Sequence, residues 1–221
     1  YLKNSDSPYT GKVFEFHDNG QKKSETTLKD GKVHGPAVTW YENGQKKAEG
    51  NYKDGKQDGH EVTWYDNGQK QAEITLKDGK EDGLSEAWFE NGQKEVEGNY
   101  KDGKVDGPAV TWYENGQKEA EYNNKDGKEN GPAVTWYENG QKESEANNKD
   151  GKFDGPLVSW YENGQKLQVV EFKDGKLVTV KVWLPDGSDC PDTNVQDGNG
   201  IRVFYDEDGE ETSRDEFKNG E

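Results

Sequence analysis

Short runs of β-branched and aromatic residues alternate with polar turn sequences along the chain, and this pattern returns every 24 residues. The clearest copy spans residues 35–58 and reads GPAVTWYENGQKKAEGNYKDGKQD. Its VTWY run favours a β-strand, and the NG and DG pairs that follow are typical of turns. A fixed period of this length indicates a repeat protein built from one small unit.

Two turn signatures define the copies and the predicted domain organisation. Asn-Gly-Gln begins at Asn19, Asn43, Asn67, Asn91, Asn115, Asn139 and Asn163, and Asp-Gly-Lys begins at Asp30, Asp54, Asp78, Asp102, Asp126, Asp150 and Asp174. We predict an N-terminal cap with a capping strand at residues 1–10 and seven 24-residue repeats at residues 11–178. Degenerate C-terminal repeats with a loop insertion at 188–200 should follow at residues 179–221, because terminal repeats are usually atypical.

Each repeat is predicted to be one β-hairpin. Asn43-Gly44 is typical of a two-residue type I′ turn, which would place Glu42 opposite Gln45. Residues 54–59 are then predicted to form a wider loop, because more residues separate the next two turns. In this register one face carries Val38, Trp40, Lys47 and Glu49, and the other carries Ala37, Thr39, Tyr41, Ala48 and Gly50.

The predicted fold class is therefore all-β, with 24-residue β-hairpin units stacked into an elongated single-layer antiparallel sheet. Neither predicted face is apolar enough to pack against a second sheet, so stability would accumulate along the stack. The period is even, and every column of equivalent residues should keep one face of the pleat. A second aromatic column would contain Tyr41, Tyr65, Phe89, Tyr113, Tyr137 and Tyr161.

The candidate binding face carries one aromatic and one acidic column. Its residues are Trp40, Trp64, Trp88, Trp112, Trp136 and Trp160 together with Glu49, Glu73, Glu97 and Glu121. Rings suit sugars and ligand cations, and a carboxylate row suits a basic partner. A structural interpretation stays open beside this one: the rings would bury apolar area, and the lysines at Lys22, Lys46, Lys70, Lys94, Lys118 and Lys142 would neutralise the glutamates.

Composition narrows the range of partners. Hydrophobic residues make up 27% of the chain and the net charge is −17, as in disordered chains, but aromatic residues held in strict register indicate a folded repeat. The acidic balance argues against nucleic acid and anionic membrane surfaces. No apolar run is long enough for membrane insertion. Cys190 is the single cysteine, so no internal disulfide is expected.

No motif in the sequence brings catalytic residues together, and we expect neither enzymatic activity nor a cofactor. His17, His34 and His60 occupy different repeat positions, without partners at metal-ligand spacing. A calcium ion is the one alternative, because Asp186, Asp189, Asp192, Asn194, Asp197 and Asn199 crowd the segment 186–199. The spacing is not that of an EF-hand, and Asx-rich loops are usually turns.

The signatures Trp-Tyr-x-Asn-Gly-Gln and Lys-Asp-Gly-Lys resemble those of the bacterial variant of the MORN repeat (membrane occupation and recognition nexus). Chains built from it are commonly described as YwqK-family antitoxins. The resemblance covers residues 11–176 strongly and extends more weakly to residue 220. It implies stacked antiparallel hairpins, and it does not by itself imply a verified activity.

The predicted function is a non-enzymatic β-repeat scaffold for protein–protein interaction, with a partner that is expected to be basic. One alternative is an antitoxin or immunity protein that neutralises a toxin, and another is glycan binding by exposed aromatic columns. The first residue is Tyr1 rather than Met, directly before the first hairpin. This favours an exported protein, periplasmic or on the cell surface, over a cytoplasmic one.

Overall fold

A computed structural model describes residues 7–206 and 208–221 of the chain. The chain divides into two compact units, the first ending at Val105 and the second spanning Asp106–Glu221. In the described residues no helix is long and apolar enough to cross a membrane. The predicted capping strand was wrong over residues 7–10, which form no strand, and the rest of that prediction falls on residues outside the described ranges.

The first unit is a meander of antiparallel strands. Its strands are β1 (Gly11–Phe16), β2 (Lys22–Lys29), β3 (Lys32–Trp40), β4 (Lys46–Lys53), β5 (Lys56–Trp64), β6 (Lys70–Lys77), β7 (Lys80–Trp88) and β8 (Lys94–Lys101). Each strand from β1 to β7 pairs with the next strand in chain order. Consecutive hairpins therefore lie side by side in one sheet layer.

The second unit continues the same pattern and adds a separate hairpin. Its strands are β9 (Lys104–Trp112), β10 (Lys118–Lys125), β11 (Lys128–Trp136), β12 (Lys142–Lys149), β13 (Lys152–Phe153), β14 (Gly155–Trp160), β15 (Lys166–Lys173), β16 (Lys176–Val182), β17 (Gly200–Tyr205) and β18 (Glu211–Phe217). Strands β9 to β16 form an antiparallel sheet in chain order, with β13 beside β12, whereas β17 and β18 pair only with each other. The predicted all-β fold of stacked 24-residue hairpins is confirmed.

The Asn-Gly turn is one residue longer than predicted. The Gly44 amide donates to the carbonyl of Tyr41 at 3.0 Å, and the Tyr41 amide donates to the carbonyl of Gln45 at 2.9 Å. Gly44 has a positive φ of 85°, and Asn43 does not have one. This is a type I turn followed by a left-handed glycine. The two-residue type I′ turn, with Glu42 opposite Gln45, was therefore wrong.

The Asp-Gly turn is the tight one. Asp54 has φ 51° and Gly55 has φ 88°, and Lys53 pairs directly with Lys56. Two consecutive residues with positive φ form a type I′ turn, and aspartate tolerates this conformation because its short polar side chain can bond locally. The predicted wide loop over residues 54–59 was wrong, because β5 already begins at Lys56.

A β-bulge beside the Asn-Gly turn changes which lysine faces the tryptophan. Trp40 pairs with Lys46, and the register shifts between Thr39 and Trp40, which leaves Lys47 as the extra residue. The Lys47 ammonium lies instead 5.5 Å from the ring centre of Tyr41. The prediction that Lys47 shares a face with Trp40 was therefore wrong, because a bulge interrupts strict alternation.

A second irregularity absorbs the residues that the Asp-Gly turn does not use. Gly50 pairs with Glu61 and Tyr52 pairs with Gln57, so one residue of β4 opposes three residues of β5. The same shift recurs between β2 and β3, β6 and β7, and β10 and β11. The two unequal spacings between turns are thus absorbed inside the strands, and the sheet keeps its pairing from one repeat to the next.

An apolar core closes the C-terminal end of the second unit. Val170 of β15 and Val182 of β16 pack with Val203 of β17 and with Cys190 and Val195 from the insertion. Val195 and Val203 have no exposed surface. The repeats themselves are single-layered, whereas this end gains a second layer because β15 and β16 replace the polar repeat pattern with valines and leucines.

Candidate binding face

The candidate tryptophans and glutamates lie on the same face of their hairpins. We call it the tryptophan face, and in the repeat at residues 35–58 it carries Pro36, Val38, Trp40, Lys46 and Glu49, with Val38 paired to Glu49. All six candidate tryptophans are half-buried. Among the candidate glutamates, Glu121 is the exposed one, and Glu49, Glu73 and Glu97 are half-buried.

Lysines join the glutamates of one hairpin to the tryptophan of the next. The Lys46 ammonium lies 2.6 Å from the Glu49 carboxylate and 5.6 Å from the ring centre of Trp64. Such cation–π contacts contribute about 0.5–1 kcal/mol at exposed positions. The arrangement recurs in Lys70–Glu73–Trp88, Lys118–Glu121–Trp136 and Lys142–Glu145–Trp160. The sequence indicated charge compensation here, but not the contact between each lysine and a neighbouring ring.

Ion pairs shift the pKa of two groups, Glu25 and Lys94. Glu25 accepts hydrogen bonds from Lys12 at 2.6 Å and Lys22 at 2.7 Å, which lower the pKa of Glu25 from 4.5 to about 2. Hydrogen bonds to Glu86 and Glu97 raise the pKa of Lys94. The tryptophan face is therefore a lattice of paired charges rather than an uncompensated acidic row.

Two shallow grooves occupy equivalent places on the tryptophan face, one in each unit. The first has a volume of about 220 Å³ and is lined by Pro36, Val38, Glu49, Asn51, His60 and Val62, with Ala37 and Gly50. The second, of about 250 Å³, is lined by Pro132, Val134, Glu145, Asn147, Pro156 and Val158, with Ala133 and Ala146. Every position of the second groove follows its counterpart by 96 residues, which is four periods of 24. The same groove therefore forms at equivalent positions of two repeats.

The Asn-Gly-Gln signature holds neighbouring hairpins together at one edge of each sheet. The Asn43 side chain accepts from the Gln45 amide at 2.9 Å and donates to the carbonyl of Asp66, also at 2.9 Å. A Cβ on Gly68 would lie 2.8 Å from the side-chain oxygen of Gln45. Equivalent hydrogen bonds are donated by the side-chain amides of Asn19, Asn67, Asn115, Asn139 and Asn163. These polar residues have structural partners and are not offered to a ligand.

The three histidines lie apart from one another, and each contacts another residue of the chain. A ring nitrogen of His17 lies 2.9 Å from the Trp40 carbonyl, and a ring nitrogen of His60 lies 3.3 Å from the Thr75 hydroxyl. His34 lies 3.3 Å from a carboxylate oxygen at the Asp-Gly turn. None of these contacts creates a nucleophile or a metal site within the described residues.

The acidic loop considered for calcium uses its side chains locally. Asp186 accepts from the Ser188 amide at 2.8 Å, and Asp192 accepts from the Tyr205 hydroxyl at 2.8 Å. Across residues 7–206 and 208–221, no group of three or more His, Cys, Asp or Glu side chains is arranged to hold a metal ion. Calcium at residues 186–199 stays a prediction, and no ready ligand cluster supports it.

Comparison with known families identifies the repeat. A family model described as MORN repeat variant matches residues 9–30, 33–54, 57–78, 81–102, 105–126, 129–150 and 153–174. These seven matches cover more than half of the chain, and each begins 24 residues after the one before it. No curated protein sequence matches the chain.

Proposed function

Since the chain belongs to the family of MORN repeat variants, whose repeats are generally scaffold repeats that bind proteins or lipids, we propose that it is a scaffold that binds a basic protein segment on its tryptophan face. The repeat is an all-β type that is not itself enzymatic. The observation that carries the proposal is the recurrence of one groove, at equivalent positions, in both units.

The groove has the surface that an extended peptide needs. Pro36, Val38 and Val62 supply apolar contact, and Pro36 and His60 are exposed. Burying one aliphatic side chain of a partner there is worth about 1.5–3 kcal/mol. One groove would give a weak complex, and a partner with several suitable side chains would gain from the repetition.

Charge supports a basic partner rather than a neutral one. Each groove contains a glutamate, Glu49 or Glu145, and the chain carries a net charge of −17. A lysine or arginine beside an aliphatic residue could bond this carboxylate and displace the repeat's own lysine from it. The overall field would also accelerate the approach of a basic segment.

The test uses the full chain and a fluorescently labelled peptide of alternating lysine and valine. Binding is measured by anisotropy for the double variant Glu49→Gln/Glu145→Gln and for the control Glu42→Gln/Glu138→Gln, which has the same net charge but changes the Asn-Gly turns. We expect the groove variant to bind several-fold more weakly than the control. Equal affinities for the two variants would contradict recognition at the grooves.

A narrower form of this proposal is an antitoxin or immunity protein that covers a basic toxin enzyme. The same acidic charge and the same non-enzymatic repeat support it. Expression of a neighbouring reading frame should then be toxic alone and harmless together with this chain. If no neighbouring frame is toxic, the general scaffold proposal survives and the antitoxin proposal fails.

Glycan binding by the tryptophan columns is less well supported by the geometry. Lysines cover one side of rings such as Trp64 and Trp88, which leaves less ring surface for a sugar. Quenching of tryptophan fluorescence by an oligosaccharide would restore this alternative.

A further inference from the structure

One column on the face opposite the tryptophans changes character in the second unit. Its residues in the seven repeats are Leu28, Tyr52, Leu76, Tyr100, Asn124, Asn148 and Phe172. The first four are large and apolar or aromatic, whereas the fifth and sixth repeats carry asparagine. An asparagine fills less space than tyrosine or leucine, so two adjacent repeats lose the bulk that this column otherwise supplies.

A cleft of about 710 Å³ lies where the two asparagines replace the larger side chains. Asn124 and Asn148 line it together with Lys152, Phe153 and Glu129. Its volume falls in the range typical of small-molecule sites, about 300–1,000 Å³. The cleft is contained within the second unit and lies on the face opposite the groove lined by Pro132 and Val134.

The amides of these asparagines lack partners. Asn148 is 5% exposed, and the side-chain nitrogens of Asn124 and Asn148 are buried without a hydrogen bond to any described residue. Buried donors of this kind are rare in native proteins, and each needs an explanation. A side-chain rotation that turns these amides towards the cleft would let the acceptor oxygens of a ligand satisfy both of them.

The remaining lining identifies the ligand class. Three lysines and three carboxylates balance in charge: Lys128, Lys152, Lys176, Glu129, Asp174 and Glu221. A ligand that both donates and accepts hydrogen bonds, and carries no net charge, matches this balance. Phe153 is 39% exposed, and its ring is fixed by a contact with Phe172 at 5.1 Å between centres. It offers an apolar surface to the C–H groups of a sugar ring.

We propose that this cleft binds a neutral saccharide. The hydroxyl oxygens accept from the amides of Asn124 and Asn148, and the hydroxyl hydrogens are donated to Glu129 or Asp174. An apolar ligand would leave the amides without partners, and a charged ligand would upset the balance between three lysines and three carboxylates. The proposal does not depend on protein binding at the tryptophan face, because it uses other residues on the opposite face.

The test follows the side-chain amide signals of Asn124 and Asn148 by NMR in the full chain, during addition of maltose, cellobiose, lactose or chitobiose. We expect one of these sugars to shift both signals saturably. Asn148→Leu, which restores the bulk of the column, should weaken binding about tenfold or more while the thermal midpoint is kept or raised. Asn123→Leu changes a half-buried asparagine on the tryptophan face, paired with Pro108, and should bind normally.

Three results would overturn the proposal. In the first, no sugar of the panel shifts the amide signals, as expected if only water occupies the cleft. In the second, Asn148→Leu and Asn123→Leu bind the sugar equally. In the third, inorganic phosphate shifts the signals and the sugars do not, which would indicate an anion site. If Asn148→Leu fails to fold, Phe153→Ala replaces it, and unchanged sugar affinity in that variant would equally contradict the proposal.

Discussion

The hydroxyl of Tyr41 donates a 2.7 Å hydrogen bond to the backbone carbonyl of Trp64, 23 residues further along the chain. The bond joins one hairpin to the next, whereas the strand ladder already holds each hairpin together. Tyr65, Tyr113, Tyr137 and Tyr161 make the same bond at 2.7–3.0 Å. His17 takes this place in the first hairpin, and Phe89 in the same column has no hydroxyl. The second aromatic column is therefore a series of ties between repeats.

Removing one tie should lower stability without changing the fold. Tyr41→Phe deletes the hydroxyl and leaves the Trp64 carbonyl without this donor, so we expect a loss of about 0.5–1.5 kcal/mol in the free energy of unfolding. Urea unfolding followed by circular dichroism measures it. Tyr52→Phe is the matched control, because the Tyr52 hydroxyl makes no hydrogen bond within the described residues. Equal losses in the two variants would mean that the inter-hairpin bond contributes nothing.

The backbone conformation of the Asp-Gly turn predicts an order among substitutions. Asp126 has φ 52°, a conformation that asparagine and aspartate adopt far more readily than alanine. Asp126→Ala should therefore cost about 1–2 kcal/mol, and Asp126→Asn should be close to neutral. The thermal midpoints of the two variants decide this. A midpoint for the asparagine variant as low as that of the alanine variant would show that the aspartate charge, rather than the backbone, is responsible.

Acid should weaken the first hairpin through Glu25. Its pKa is lowered from 4.5 to about 2 by hydrogen bonds from Lys12 and Lys22, so the folded state holds the carboxylate form more strongly than the unfolded state does. The resulting stabilisation is complete above pH 4.5 and is lost as the pH falls from 4.5 towards 2. An NMR titration of the Glu25 carboxyl should show the low pKa.

Lys12→Met should raise that pKa towards its ordinary value, because it removes the largest cause of the shift. Lys29→Met removes the same charge from the same strand as Glu25 and serves as the control. A Glu25 pKa that stays low in Lys12→Met would contradict the assignment of the shift to this ion pair.

The stability of the second unit should be concentrated at its C-terminal core. Val203 has no exposed surface, so Val203→Ala removes buried methyl groups and leaves a cavity, at a cost of about 2–3 kcal/mol. Val134→Ala, on the half-buried tryptophan face of the same unit, should cost clearly less. Guanidinium unfolding of both variants makes the comparison. Equal costs would mean that the second layer adds nothing to the repeats it covers.

The repeat could be predicted from the sequence because strand runs and turn signatures recur at one spacing. Their detailed geometry could not, since Asn43-Gly44 and Asp54-Gly55 both favour positive φ, and local preference alone does not say which turn is tight. The bulge at Lys47 belongs to the longer Asn-Gly turn. Such a bulge cannot be recognised in a sequence of alternating hydrophobic and polar residues. The C-terminal core was equally hidden, because residues 188–200 carry Cys190 and Val195 without any period.

On the candidate binding face, too, some features could be predicted from the sequence and others could not. The columns of Trp40 and Glu49 followed from the even period, and the structure places both on one face. The lysine between them could not be assigned, because the contact of Lys46 with Trp64 depends on the bulge and on the distance between hairpins. Asn124 and Asn148 were present in the sequence as departures from their column, and this was the signal that could have revealed the cleft.

The bonds of the Asn-Gly turn also bear on how such a chain can lengthen. The donor and the acceptor of each inter-hairpin bond lie 22 or 23 residues apart, as in Asn43 to Asp66 and Asn163 to Pro185. A duplicated stretch of 24 codons therefore brings a complete set of partners with it and requires no second change elsewhere in the gene. Duplications of most other lengths would shift the register, so that an asparagine side chain would no longer face the backbone carbonyl that accepts its hydrogen bond. Growth by copying one whole unit is thus the path of least disruption for this architecture.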